Sequence, residues 1–198
     1  SEWTGTWRDP RFAGAAQGGH LPENALTGTM YKVNSVYLPV TVNSDEGKYR
    51  LWRNSGLDSI PAGTSVELAD QTVGYEANED VDNGFRPQGL IRLSTTVGST
   101  PEYLTDYGNT VSAGTMKHHV TLYRAASGAL VFSAGSVQWG WGLDSTHDVS
   151  RPAADPRMQQ AEVNLLADMG ALPGTLMAGL NPATASADKV APTTVITT

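Results

Sequence analysis

Cysteine is absent from all 198 residues of the chain. That excludes a thiol nucleophile, a disulfide framework and any thiolate metal site within it. Long apolar runs are absent too: nothing approaches the ~20 consecutive residues that a membrane-spanning helix needs. The opening "SEWTGTWRDPRF" has neither the basic nor the apolar region of a signal peptide. Positive charge is sparse. Thirteen Lys and Arg stand against twenty Asp and Glu, a net charge of −7, and the densest basic-type stretch is only "KHH" at 117–119. Neutralising phosphates takes a coherent positive face, so neither nucleic acid nor a membrane is expected as a partner. No GxGxxG, phosphate loop or G-x-S-x-G elbow occurs.

What is present suits one domain with a sizeable core, since 39% of the chain is hydrophobic. The reading is α/β but β-rich, with several strands and hairpins and one clear C-terminal helix. "VYLPVTV" (36–42) and "YRLW" (49–52) flank a polar turn and predict a hairpin, with Pro39 demoting the first strand to an edge or bulge. "TSVEL", "TVGYEA" and "LIRLST" are further strand candidates. Within 117–143, "HVTLYR" alternates, "AASG" turns the chain and "ALVFSAGSV" returns, apolar on both faces as a central covered strand would be. "DPRMQQAEVNLLADMG" predicts a helix with Asp155 as N-cap, Pro156 at its first position and Gly170 as a left-handed C-cap. Met158, Ala161, Leu165, Leu166 and Met169 form its apolar stripe. The domain is expected over 1–176. The Ala/Thr/Pro-rich 177–198 reads as a linker whose last residues, "APTTVITT", could begin a following strand.

Chemistry concentrates in "GYEANEDVDNGF" (74–85), with Glu76, Glu79, Asp80 and Asp82 inside seven residues. No register of this stretch meets the EF-hand spacing. Glu79, Asp80 and Asp82 read as a solvated turn carrying a positive-φ Gly84. Glu76, expected where strand meets loop, is either a general acid or base or the partner of Arg86 or Arg92. His118 and His119 are adjacent, so in a strand they face opposite sides and only one can enter a site. Asp144, His147 and Asp148 offer an acid–base pair or ligand after "QWGWG"; the alternative is a polar loop. Trp139 and Trp141 either stack on a sugar or belong to the core. His20 has no useful neighbours, and no metal ligand is assigned.

Taken together, "EWTGTWRDPRF…PENALTGTMY", "GYEANEDVDNGFRPQGLIRLS", "HHVTLYRAASGALVFSAGSVQWGWGLD" and "DPRMQQAEVNLLADMGALPGTL" resemble the C-terminal part of the large-subunit-like domain of N,N-dimethylformamidase, over about 2–176. Such domains occur in multidomain actinobacterial secreted proteins, and the low Lys and high Gly, Ala and Thr content suits an extracellular location. The resemblance implies the later portion of a glutamine-amidotransferase-like domain, completed by an upstream half, and a following Ig-like module. It implies hydrolysis of amide C–N bonds, with no cofactor within this chain and iron in the complete domain held by upstream residues. Glu76 then matches a catalytic carboxylate. His118, His119 and His147 join it as catalytic candidates; Trp139, Trp141 and Asp144 are substrate-binding candidates. The alternative function is a non-catalytic module binding carbohydrate or a cell surface through Trp139, Trp141 and Trp3.

Overall fold

The computed structural model describes residues 7–12, 14–17, 19–148 and 153–188; Trp3 and the "APTTVITT" stretch lie outside them. Among the described residues nine strands follow in order: β1 (Met30–Leu38), β2 (Thr41–Asn43), β3 (Ser65–Glu67), β4 (Val73–Glu79), β5 (Ile91–Arg92), β6 (Thr96–Thr105), β7 (Thr110–His118), β8 (Thr121–Arg124) and β9 (Leu130–Ser133). A short helix α1 (Asn24–Thr27) precedes β1, and α2 (Pro156–Asp168) closes the fold. Among the described residues no helix is long and apolar enough to cross a membrane.

Strands β1, β4, β7 and β6 close into a small barrel in that order; β2 pairs β3, and β5, β8 and β9 form a third sheet. Every pairing is antiparallel, so the β-rich part of the expectation holds, and no βαβ crossover occurs among the described residues. The barrel's seam is thin. β4 meets β7 only at Glu79 and His118. The rest of that β4 edge is taken by residues 134–138: Asn78 N donates to Gly135 O at 2.8 Å and Gln138 N to Gly74 O at 3.0 Å. Gly74 is needed there, because a Cβ would collide with Val36 O on one side and Gln138 Oε1 on the other.

Three strand expectations are corrected. Residues 49–52 do not return as a strand. Arg50–Trp52 is a 3-10 turn, and β2 pairs with β3 instead. The turn wins because it drives Trp52 fully into the core, where its indole donates to Leu93 O at 2.8 Å. Pro39 belongs to no strand; it separates β1 from β2, where its missing N–H costs nothing. The 117–143 hairpin forms as β8 and β9, but β8 is the central strand and β9 the edge. The apolar residues of β9, Leu130, Val131 and Phe132, are all half-buried.

Helix α2 starts as expected, with Asp155 accepting from Arg157 N and Pro156 at the first position. It ends in a Schellman motif: Ala171 N donates to Leu166 O and Gly170 N to Ala167 O, with Gly170 at φ +82°. Its buried face differs from the predicted stripe. Met158, Ala161 and Leu165 enter the main core, whereas Leu166 and Met169 are exposed. Burial turns instead toward Gln160, Val163, Asn164 and Ala167, because a second layer covers that side. The layer is part of the expected linker: Ala183 packs with Val163 and Ala167, Asn181 bonds Gln160, and Thr184 O accepts from Arg50 and Arg53. Beneath, Asn164 Nδ2 donates to Leu51 O and Arg53 O, both at 2.7 Å.

Candidate functional site

The first half of the acidic stretch belongs to β4. Val73, Ala77 and Glu79 point to the buried side, which leaves Glu76 on the opposite face with Asn78. Glu76 therefore lies in mid-strand, not at the strand's end. Both edges of β4 are hydrogen-bonded, so its Cα sits on a rigid element. Its side chain is half-buried and makes no hydrogen bond or ion pair among the described residues. Tyr31 pairs with Asn78, one step diagonal to Glu76 on the same face. Burial, then the charges of Glu76 and Glu102, raise the Tyr31 phenol above its ordinary pKa and keep it protonated.

The neighbouring carboxylates contradict the solvated-turn reading. Glu79 is buried; it accepts Tyr103 Oη at 2.7 Å and Lys117 N at 2.6 Å. Burial and that hydrogen bond push the Tyr103 phenol well above its usual range. The Asp80 side chain is wholly enclosed. It accepts Arg86 Nε at 2.7 Å, Arg86 Nη2 at 2.8 Å and Arg92 Nε at 2.7 Å. Burial alone would raise its pKa, but the two guanidiniums prevail and hold it below the usual carboxylate value. Arg86 and Arg92, the proposed partners of Glu76, thus serve Asp80. Of the expected turn only Asp82 is exposed, beside Gly84 at φ +84°.

The two histidines do face opposite ways, and both are interior. His118 is fully buried at the end of β7 and donates from Nε2 to Ala134 O at 2.9 Å, leaving Nδ1 without a partner. His119 Nδ1 donates to Ser94 O at 2.8 Å and lies 3.2 Å from Thr95 Oγ1, which itself donates to Glu46 Oε1 at 2.5 Å. Burial lowers both imidazoles to about 4, so both are neutral at pH 7. No hydrogen bond joins either of them to Glu76.

Trp139 is core. Its indole donates to Glu162 Oε1 at 2.6 Å and its ring meets Phe132 edge-on at 5.6 Å, so it offers no stacking surface to a sugar. Trp141 and His147 come together, their rings parallel within 3° at 4.7 Å, and neither nitrogen of His147 has a hydrogen-bond partner among the described residues. Asp144 lies in the same loop and accepts Thr146 N at 2.6 Å. That bond, more than the nearby His147, lowers its pKa. Sequence reasoning missed the Glu46–Thr95–His119 chain entirely. Its members lie 49 and 24 residues apart, and no local spacing signals it.

Among the described residues no three His, Cys, Asp or Glu side chains converge as a metal would require. Comparison with protein families supplies what geometry leaves open. The model of one family, described as N,N-dimethylformamidase beta subunit-like, C-terminal, matches residues 1–153. The chain belongs to this family. No curated protein and no solved structure matches it. All seven site candidates lie inside the dimethylformamidase-like match, whereas α2 lies beyond it yet packs into the same core.

Proposed function

We propose that this dimethylformamidase-like chain is part of a hydrolase domain acting on amide C–N bonds, with Glu76 as its working carboxylate. One observation carries the assignment: of the three carboxylates on and just after β4, Glu76 alone is held rigidly without a partner. A carboxylate so placed takes a proton from the attacking water and returns it to the departing amine. Tyr31, kept as a phenol beside it, donates to the amide oxygen as negative charge develops there. The iron implied by the resemblance does not fit the described residues alone, so no step runs through it. Its tyrosine and glutamate ligands, and the remaining pocket, belong to an upstream, glutamine-amidotransferase-like half of a secreted large subunit. The substrate is a small amide. The carbohydrate-binding alternative loses Trp139 to the core.

The test is formamide and N,N-dimethylformamide hydrolysis by the complete protein, wild type against Glu76→Gln. Loss of the ~10²–10⁴-fold typical of a general acid or base supports the role. Unchanged turnover in a folded Glu76→Gln protein ends it.

A further inference from the structure

A second polar centre lies at residues the amide reading does not use. Between the turn Glu46–Lys48 and the segment 86–92 runs an open cleft of about 460 Å³. One wall is basic. Arg86 and Arg92 are both fixed from behind by the fully enclosed Asp80, so their orientations are set before any ligand arrives. Asp80 takes only the Nε of Arg92, and both its terminal nitrogens are without a hydrogen bond among the described residues; so is Nη1 of Arg86. Asp80 cancels one of the two charges, which leaves this wall with one net positive charge and three sets of unused donors.

The rest of the charged lining is acidic. Asp45 projects into solvent and already holds one ammonium, Lys48 Nζ at 3.1 Å. Glu46 lies deeper, tied by Thr95 Oγ1 and Asn43 N. Tyr49, Leu90 and Ile91 complete the lining as an apolar strip. A simple anion meets the carboxylates and a simple cation meets the guanidiniums. A molecule carrying both charges satisfies both walls, and an apolar side chain fits the strip. We propose that this cleft binds an apolar α-amino acid as its zwitterion. The carboxylate is taken by the fork of Arg92 with Arg86, and the ammonium by Asp45, the exposed carboxylate of the acidic side.

The experiment titrates the whole chain with L-leucine, followed by backbone amide NMR. Isocaproate, isoamylamine and glycine are the comparators, lacking the amine, the carboxylate and the side chain respectively. Saturable shifts at Tyr49, Ile91 and Arg92 are expected, with either half-molecule about tenfold weaker or more. Arg92→Gln should weaken leucine about tenfold. Asp45→Asn, at an exposed side chain, should weaken it several-fold without changing the thermal midpoint. Should Arg92→Gln not fold, Asp45→Asn decides. No saturable shift up to about 50 mM leucine overturns the proposal. So does isocaproate binding as well as leucine, which marks a plain anion site, or indifference to Asp45→Asn. None of these outcomes touches Glu76, so the amide-hydrolase reading stands or falls separately.

Discussion

Glu76 and Asp80 are four residues apart, one on a strand and one just past its end, and they live in opposite ways. Asp80 is fully enclosed and spends its oxygens on two guanidiniums. Glu76 is half-buried and spends nothing. Burial by itself does not separate a structural carboxylate from an available one. The hydrogen bonds already accepted do: Asp80 accepts three and Glu76 none among the described residues. Glu79 falls on the structural side by the same test, with both oxygens occupied.

The largest effect should come from Asp80. Asp80→Ala leaves two arginines facing each other over a lost anion and should destabilise the fold by about 3–5 kcal/mol, read from urea unfolding. A loss below about 1 kcal/mol would erase the contrast with Glu76.

Acid should act next, through the histidines rather than the carboxylates. His118 titrates near 4 in the fold against about 6.5 in the unfolded chain. Between these values the unfolded chain binds more protons, so stability falls as pH drops from about 6.5 toward 4. His118 alone contributes a loss of about 3 kcal/mol, and His119 adds to it in the same direction. Urea midpoints measured from pH 7.5 to 4.5 should show this slope, and His118→Gln should roughly halve it. A flat wild-type profile would place the ring in contact with water.

Glu79→Gln sharpens the comparison from the other side. It keeps the shape but gives Lys117 N and Tyr103 Oη a weaker, partly mismatched acceptor, for about 1–3 kcal/mol in unfolding. Glu76→Gln should be the mildest, within about 0.5 kcal/mol of wild type, while carrying the largest loss of amide hydrolysis in the complete protein. A stability loss of the Asp80 size would show a hidden structural partner for Glu76.

Several of these elements were legible from local pattern. Helix α2 announced itself by Asp155, Pro156 and Gly170; β8 and β9 by alternation around "AASG"; Gly84 by its turn. Each is a short-range signal, satisfied within a few residues. What escaped was long-range. Nothing near Trp52 predicts that Leu93 O will accept its indole, so a 3-10 turn was read as a strand. Nothing near Asp80 says which of several carboxylates the arginines will choose. Leu166 and Met169 were placed in the core by helical period alone, while residues 181–184, read as a linker, claimed the neighbouring face. In the site, Glu76 was expected at a strand's end and lies in mid-strand, and His119 could not be linked to Glu46 without the fold.

Asn164 bears on heredity. Its single amide group satisfies the carbonyls of Leu51 and Arg53, one on each N–H. It does so from a helix that the family match does not include. The unit that is recognisable by descent and the unit that must fold together are therefore different lengths of chain here. A gene trimmed to the recognisable unit would strip Met158 and Leu165 from the core and orphan two acceptors at once. Any relative spliced or recombined at that boundary must bring a replacement helix. That helix owes this turn two donors, a carboxylate for Arg50 and Arg53, and an apolar face.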